Sequence, residues 1–246
     1  MGRYYYRSYT PSKPRNVKNG IKLKTQRGDV GEHWWSQRWI RFLKSFRMGA
    51  RLSRGKTYAR KGQVAALEIS DGVVEAKVQG SRRQPYEVTI QLTHFTEKIW
   101  GEIVKIMVQS AKNLAILLNG EMPSNIEEIF ERGGHPLFPT NRKDLHSDCS
   151  CPDYANPCKH IAAVYYLLAE RFDEDPFLIF QLRGKDKEQF LKDIRKERIH
   201  LVPRSSSLKE ESHEQAPLDP FQKIKENVRN RGIRGFWESP KSLDEI

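Results

Sequence analysis

The cysteines of this chain are confined to one short segment. All three lie between positions 149 and 158, and a histidine follows two residues after the last, which gives the pattern C-x-C-x6-C-x-H. Three thiolates and one imidazole form a complete ligand set for a tetrahedral zinc ion, and such closed sets are typical of structural sites. The pattern therefore predicts one zinc ion per chain, bound by Cys149, Cys151, Cys158 and His160.

Other roles for these cysteines and the histidine would explain only some of the four residues. A disulfide framework is disfavoured because the number of cysteines is odd and the N-terminal residues do not resemble a secretory signal. A catalytic Cys–His pair stays open as an alternative, but it would employ one cysteine and leave two without a role. Two neighbouring histidines, His135 and His146, could substitute as ligands, but four better-spaced ligands exist, so we interpret both as ordinary residues at the surface or beside the ligands. Reduced thiols and the missing signal lead us to expect a cytoplasmic protein.

The residues around the ligands predict local structure. Asn156 and Pro157 form a helix-start signature, with the asparagine as the cap and the proline in the first turn. From Ile161 onward, apolar residues recur at helical intervals. Cys149 and Cys151 are two residues apart and therefore share one face of a strand. The expected unit is a ββα-like zinc module, with the last two ligands at the beginning of the helix.

The pattern resembles the SWIM-type zinc finger, whose C-x-C-x(n)-C-x-H motif these four ligands match one for one. Segments 55–64, 78–81 and 176–184 are similar to stand-alone prokaryotic SWIM proteins, and the resemblance covers Trp34 to Gly184. It implies zinc binding and a role in nucleic-acid or protein interaction. It also implies a helicase-like ATPase as a partner, and it implies no catalytic activity.

The charge of the chain favours a polyanionic partner. Lysine and arginine number 43 against 31 acidic residues, for a formal charge of +12. Such a field attracts phosphates, although a merely soluble basic protein would show the same balance. Between Arg3 and Arg27 there is no acidic residue, and several tyrosines interleave with the cations. We expect residues 1–30 to form a basic, flexible arm, and nucleic acid to be the partner, DNA rather than RNA.

A second basic cluster follows the arm. Trp35, Trp39, Phe42 and Phe46 recur at helical spacing, which predicts an amphipathic helix whose tryptophans pack in the core instead of stacking on bases. The cations that follow, together with a basic loop and the lysine between the last two ligands, are candidates for phosphate contacts. These candidates are Arg51, Arg54, Lys56, Arg60, Lys61, Arg82, Arg83 and Lys159.

The segment Gly49–Thr57 resembles a phosphate-binding loop, but it has five residues between its glycines where that motif has four. We interpret it as a plain loop between a helix and the strands that follow. The chain shows no other assembled catalytic motif, so we expect a protein that is not an enzyme.

The middle of the chain predicts an α+β fold. Three short β-branched runs, 64–69, 73–79 and 86–93, predict an antiparallel β meander, with a hairpin turn at 70–72. An apolar face over 97–118 predicts one helix that covers the sheet, and it is too polar for a membrane span. Ser124 and Glu127 predict a capping box that opens a short helix ending at 133–134.

These patterns divide the chain into an arm (1–30), an α+β region (31–135), the zinc finger (136–172), a helical extension (173–200), and a linker with a C-terminal tail (201–246). Phe236 and Trp237 in the tail predict either a docking anchor or a segment that folds onto the domain. Two functions remain open: a zinc-dependent nucleic-acid-binding module, and an adaptor that binds a partner protein without contacting nucleic acid.

Overall fold

A computed structural model of the protein describes residues 13–201. Residues 1–12 of the expected arm, and the expected linker and tail from 202 onward, lie outside the described residues. The elements, in chain order, are α1 (Trp34–Ser45), α2 (Gly49–Arg60), β1 (Val64–Ser70), β2 (Val73–Val78), β3 (Tyr86–Leu92), α3 (Glu97–Met107), α4 (Ala111–Leu118), α5 (Ile126–Arg132), β4 (Leu145–Cys149), α6 (Lys159–Glu174), α7 (Leu178–Leu182) and α8 (Lys187–Leu201).

The predicted meander is present and gains a fourth strand. The sheet is antiparallel in the order β1-β2-β3-β4, so the first strand of the zinc module pairs directly with β3. Asp71 and Gly72, with φ of 48° and 74°, form the tight turn between β1 and β2. Val74, Val78 and Ile90 point to the inner face and are fully buried. The expected α+β class with an integrated zinc module is therefore confirmed.

Helix α6 is the centre of the domain. Every residue from His160 to Ala169 is buried, so the helix contacts neighbours on all sides. The sheet packs on it through β1, β3 and β4, and α1 and α2 also pack against it. Trp39 of α1 is fully buried and donates from Nε1 to the Tyr165 carbonyl at 3.2 Å. This confirms the prediction that the tryptophans of α1 belong to the core.

The interpretation of Gly49–Thr57 as a loop is wrong, because this segment lies within helix α2. Glycine disfavours helix interiors, which hides the helix in the sequence. At Gly55 the glycine is required by packing, since a Cβ built there would lie 2.4 Å from the Cβ of Ala162 in α6. A segment that is helical throughout also lacks the strand–loop–helix geometry that a phosphate-binding loop needs.

Two further predictions about helices need correction. The single helix expected over 97–118 is two helices, because Ser110 accepts a hydrogen bond from the Asn113 amide at 3.3 Å and caps a new helix there. Helix α5 exists as predicted, but its cap is Asn125 and no capping box forms. Glu127 instead pairs with Arg38 of α1 at 2.8 Å, and this ion pair ties α5 to the first helix.

Residues 13–30, which the sequence assigns to the arm, pack on the domain. Ile21 forms a β-bridge with Val64, and its amide donates to the Val64 carbonyl at 2.7 Å. Leu23 is 1% exposed and is part of the core. The Arg15 amide donates to the Gly80 carbonyl at 2.9 Å, so this segment reaches the loop between β2 and β3.

The helical extension closes the opposite end of the core. Trp100 of α3 packs edge-to-face against Phe130, Phe180 and Phe190, which come from α5, α7 and α8. Lys185, just before α8, is 2% exposed and pairs with Glu97 at 2.7 Å and with Asp193 at 2.8 Å. These contacts join the extension to the region before the finger, so the finger is built into one domain.

Candidate metal centre

The four predicted ligands come together at the junction of β4 and α6. Cys149 is the last residue of β4 and stands opposite Val88 of β3, so the sheet fixes its position. Cys151 follows two residues later. Cys158 is the N-cap of α6, where its sulfur accepts from the Ile161 amide at 3.5 Å, and His160 lies in the first turn.

The cap of this helix differs from the prediction. Asn156 does not cap α6; its side chain binds Ser147 of β4, with Oδ1 accepting from the serine hydroxyl at 2.8 Å. The same amide group donates to the Ser147 carbonyl at 2.6 Å. Cys158 is the N-cap of α6 instead, so the same sulfur caps the helix and belongs to the ligand set of the metal.

The distances between the ligand atoms fit one metal ion. The three sulfurs and one imidazole nitrogen all lie within 4.8 Å of one another. His160 Nδ1 is 3.8 Å from the sulfurs of both Cys149 and Cys158. A tetrahedron with Zn–S bonds of about 2.3 Å and a Zn–N bond of about 2.0 Å has edges of roughly 3.5 to 3.8 Å. The chain therefore positions Cys149, Cys151, Cys158 and His160 to bind one zinc ion.

The cysteines do not share one protonation state in the absence of metal. A hydrogen bond with Cys149, helped by His160 and the Ile161 amide, lowers the pKa of Cys158 to about 4 against the opposing effect of burial. The same hydrogen bond raises the pKa of Cys149, and burial raises it again. Burial also raises the pKa of Cys151. Metal binding must displace the remaining thiol protons, so affinity falls with falling pH.

The imidazole of His160 is held by two tyrosines. Its ring centroid is 4.5 Å from that of Tyr86 in β3 and 5.5 Å from that of Tyr58 in α2. Because Nδ1 faces the sulfurs, Nε2 points away from the metal position, and it has no hydrogen-bond partner among the described residues. A Cβ built on Gly80 would lie 3.3 Å from Nε2 and 2.5 Å from the Tyr86 ring. Packing, instead of a hydrogen-bonded carboxylate, thus fixes the orientation of the ring.

A rigid loop connects the two pairs of ligands. The Asp153 carboxylate accepts from the Ala155 amide at 3.2 Å and from the Arg51 guanidinium of α2 at 3.3 Å. Partial burial would raise the pKa of Asp153, but these two hydrogen bonds lower it below its usual value. The loop is therefore tied to α2 by an ion pair at the metal centre.

Three of the predicted phosphate contacts are engaged within the fold. Arg51 pairs with Asp153, as described above. Lys56 donates to the Gly28 carbonyl at 2.7 Å. Arg60 donates to the carbonyls of Thr25 and Gly28, at 3.1 Å and 2.7 Å. These side chains attach the N-terminal segment and the finger loop to α2.

The other five candidates lie at the surface, and two of them contact the tyrosines that hold His160. Lys159 lies with Nζ 5.0 Å from the ring centroid of Tyr58, and Arg82 lies 5.9 Å from that of Tyr86. The two tyrosines that hold His160 thus each have a cation over the ring. The five surface cations are Arg54, Lys61, Arg82, Arg83 and Lys159, which we call the basic rim.

Reasoning from the sequence missed the residues that support the metal ligands. Tyr58, Gly80 and Tyr86 are far from the cysteines in sequence, and nothing in the C-x-C-x6-C-x-H pattern indicates them. The available signal was that the segments 55–64 and 78–81 resemble SWIM proteins. The structure gives this a physical reason, because those segments pack against His160 and α6.

The neighbouring histidines are not ligands. The cluster contains neither His135 nor His146, although the part of the chain that the structure describes includes both. His135 packs near Phe95, with ring centroids 5.8 Å apart, and His146 is exposed on the outer face of the sheet. Both therefore have the ordinary roles that the sequence predicts.

The fold and the ligand set define a closed Cys₃His metal-binding finger that is built into an α+β domain. Residues 136–169 match the SWIM zinc finger family, and all four ligands fall in the matched range. The chain therefore contains a SWIM zinc finger, as the motif predicts.

A relative covers more of the chain. The uncharacterized protein Rv2102 of Mycobacterium tuberculosis is 48% identical over 184 residues, which is 75% of this chain and 66% of the relative. The chain thus spans just under two thirds of the relative's length. No solved structure matches the chain.

None of the helices between residues 13 and 201 is both long enough and apolar enough to cross a bilayer.

Proposed function

We propose that the protein is a zinc-dependent nucleic-acid-binding module, and the basic rim around the metal centre is the observation that carries this proposal. Arg54 and Lys61 lie on the same side of α2 as Tyr58, since these positions are separated by four and three residues. Lys159 reaches the same tyrosine from α6. Arg82 and Arg83 are exposed in the loop that ends at β3. Cations from α2 and its C-cap, from α6 and from the loop before β3 thus lie over the two tyrosines that hold His160 or within four residues of them in sequence.

The distribution of acidic residues supports the same surface. Helices α1 and α2 contain no aspartate or glutamate. The outer face of the sheet, by contrast, has exposed carboxylates on each of its strands. Register places Glu68 opposite Glu75, and Thr89 between Glu75 and Asp148. Because α6 lies between the sheet and α2, phosphate is repelled at one side of the domain and attracted at the other.

The metal supports a binding role and no catalytic one. A zinc ion held by Cys149, Cys151, Cys158 and His160 would cross-link this site, and a full set of four protein ligands would leave no position open for water or substrate. Cys158 and His160 hold the beginning of α6, and Arg51 and Asp153 hold the finger loop on α2. These contacts fix the elements that carry the cations of the basic rim.

The nature of the partner is a further part of the proposal. The resemblance to stand-alone SWIM proteins supports DNA over RNA, and a helicase-like ATPase as a protein that acts on the same nucleic acid. Three free cysteines support a reducing compartment, the cytoplasm. Copurification of a tagged full-length chain with an ATPase, before and after nuclease treatment, tests this part.

A salt titration tests the central proposal. We expect the full-length zinc-loaded protein to bind DNA at low salt, with log K falling linearly against log salt at about −0.9 per phosphate neutralised. Fluorescence anisotropy with labelled DNA and RNA of the same sequence gives both the slope and the preference. Absence of binding at low salt would contradict the proposal and favour the adaptor function.

Two variants locate the surface. Replacing Arg82 and Arg83 together by glutamine removes two rim charges, and we expect weaker binding and a slope shallower by up to about 2. The matched control is Lys77→Gln, since Lys77 is exposed on the outer, acidic face of the sheet. Equal losses per charge removed in the two variants would show that net charge, and not the rim, drives binding.

A further inference from the structure

The most exposed large apolar side chain of the domain lies in the finger loop. Tyr154 is 97% exposed, while the other exposed large hydrophobics among the described residues, Leu118 and Ile199, are 52% and 73% exposed. A tyrosine ring that projects fully into water contributes little to folding, because it buries almost no apolar area. The ring is therefore available to contact a partner outside the described domain.

The backbone on both sides of Tyr154 is fixed. On one side, the Asp153 carboxylate binds both Arg51 of α2 and the Ala155 amide. On the other side, Asn156 is anchored to β4 through two hydrogen bonds with Ser147. The loop is also bounded by two metal ligands. The backbone that carries the ring is already held in place, so binding through Tyr154 requires ordering of its side chain but little ordering of the loop.

Two cations of α2 lie near this loop. The Arg51 guanidinium donates to the carboxylate of Asp153, the residue before Tyr154, at 3.3 Å. Arg54 is three residues further along α2 and is exposed. Alternation of an aromatic ring with phosphate-binding cations is the arrangement by which proteins bind single-stranded nucleic acid.

We propose that Tyr154 stacks on an unpaired base of a single-stranded nucleic acid whose phosphates contact the basic rim, so that the protein prefers single strands to duplex. This rests on the proposed nucleic-acid function and names the form of its ligand. In a duplex both faces of each base are covered by neighbouring pairs, so a projecting ring has no base face to contact. In a single strand the ring and the cations act together.

The test compares Tyr154→Ala with Tyr154→Trp in the full-length, zinc-loaded protein. The probes are a labelled single-stranded DNA oligonucleotide and the blunt duplex of the same sequence. Loss of one stacked base corresponds to about 1 to 3 kcal/mol, so we expect Tyr154→Ala to weaken single-strand binding about 5- to 150-fold and to leave duplex binding unchanged. Tyr154→Trp should retain single-strand affinity, because indole stacks at least as well.

A second readout observes the stacking itself. With 2-aminopurine in the single strand, the wild type and Tyr154→Trp should change the probe's fluorescence on binding, and Tyr154→Ala should not. If the wild type binds DNA and Tyr154→Ala binds each probe as tightly as the wild type does, the stacking role is overturned while the basic rim stands. If the wild type binds neither probe, the nucleic-acid function itself fails and the stacking role with it.

Discussion

Gly55 of helix α2 lies directly against Ala162 of helix α6. A Cβ built on Gly55 would be 2.4 Å from the Ala162 Cβ and 2.9 Å from its carbonyl carbon. The two helices therefore approach backbone to backbone, with Tyr58 one turn further along α2 in contact with the His160 ring. The helix that carries part of the basic rim is thus fitted to the helix that carries two metal ligands.

Gly55→Ala is expected to destabilise the domain. The extra methyl must separate two packed helices, which costs about 1 to 3 kcal/mol and exceeds the helix-propensity gain of up to about 1 kcal/mol. Chemical denaturation of the zinc-loaded protein measures the free energy of unfolding. The matched control is Gly101→Ala in α3, where nothing lies within 4 Å of the added Cβ. The control should gain about 0.5 to 1 kcal/mol, and a similar gain for Gly55→Ala would disprove the close packing.

Gly80→Ala is expected to weaken metal binding while the domain stays folded. The new Cβ would meet the Tyr86 ring at 2.5 Å and His160 Nε2 at 3.3 Å, so the tyrosine must move and the imidazole that packs on it must shift slightly. Loss of orienting contacts at a metal site typically lowers metal affinity about 10- to 100-fold. Competition with a chromophoric chelator gives the affinity, and circular dichroism checks the fold. Unchanged zinc affinity would show that Tyr86 and Gly80 do not orient His160.

His160→Ala and Cys151→Ala should each lose tight zinc binding, because the three ligands that remain leave one coordination position of the metal open. His146→Ala is the control, since this histidine is exposed and lies outside the cluster. Metal content of purified, desalted protein gives the comparison. Retention of a full equivalent of zinc in His160→Ala, or its loss in His146→Ala, would assign the ligands differently.

The contribution of Lys185 to the free energy of unfolding should depend on pH in the alkaline range. Burial would lower its pKa, but hydrogen bonds to Asp193 and Glu97 outweigh burial and raise the pKa above the ordinary value of 10.5. A group whose pKa is raised on folding contributes its stability below the unfolded pKa and loses it as pH rises through the folded pKa. We therefore expect Lys185→Met to cost about 1 to 3 kcal/mol at neutral pH.

The difference in free energy of unfolding between the wild type and Lys185→Met should stay constant from pH 7 to about pH 10 and should decrease only above that pH. Urea denaturation at several pH values, with zinc saturated, measures this difference. A difference that disappears below pH 9 would mean that the ion pairs do not hold the lysine charged.

The parts of the structure that could be predicted from sequence are those fixed by local patterns. The ligand spacing, the alternation in β2 and β3, and the helical repeat after Ile161 each depend on neighbours along the chain. Even so, the sequence predicts Asn156 as the cap of α6, because a cysteine is not an expected cap. The metal ligand geometry, which brings the Cys158 sulfur to the start of the helix, overrides the usual preference.

The parts that could not be predicted depend on contacts between distant segments. Gly55 disfavours a helix by itself, and only the approach of Ala162 explains why a glycine stands within α2. The cations of the second cluster look equivalent in sequence, yet Arg60 binds carbonyls of the N-terminal segment whereas Lys61 is exposed. Which cations are free for a ligand is a property of the packed domain.

The metal centre is the claim on which the other proposals depend, because it positions the finger loop, the beginning of α6 and the basic rim. The most direct measurement is the metal content of the full-length protein, purified under reducing conditions without added metal and analysed by inductively coupled plasma mass spectrometry. The structure predicts about one zinc per chain, the stoichiometry of a four-ligand site. A fully folded protein with no bound metal, unchanged by a strong chelator, would contradict the account.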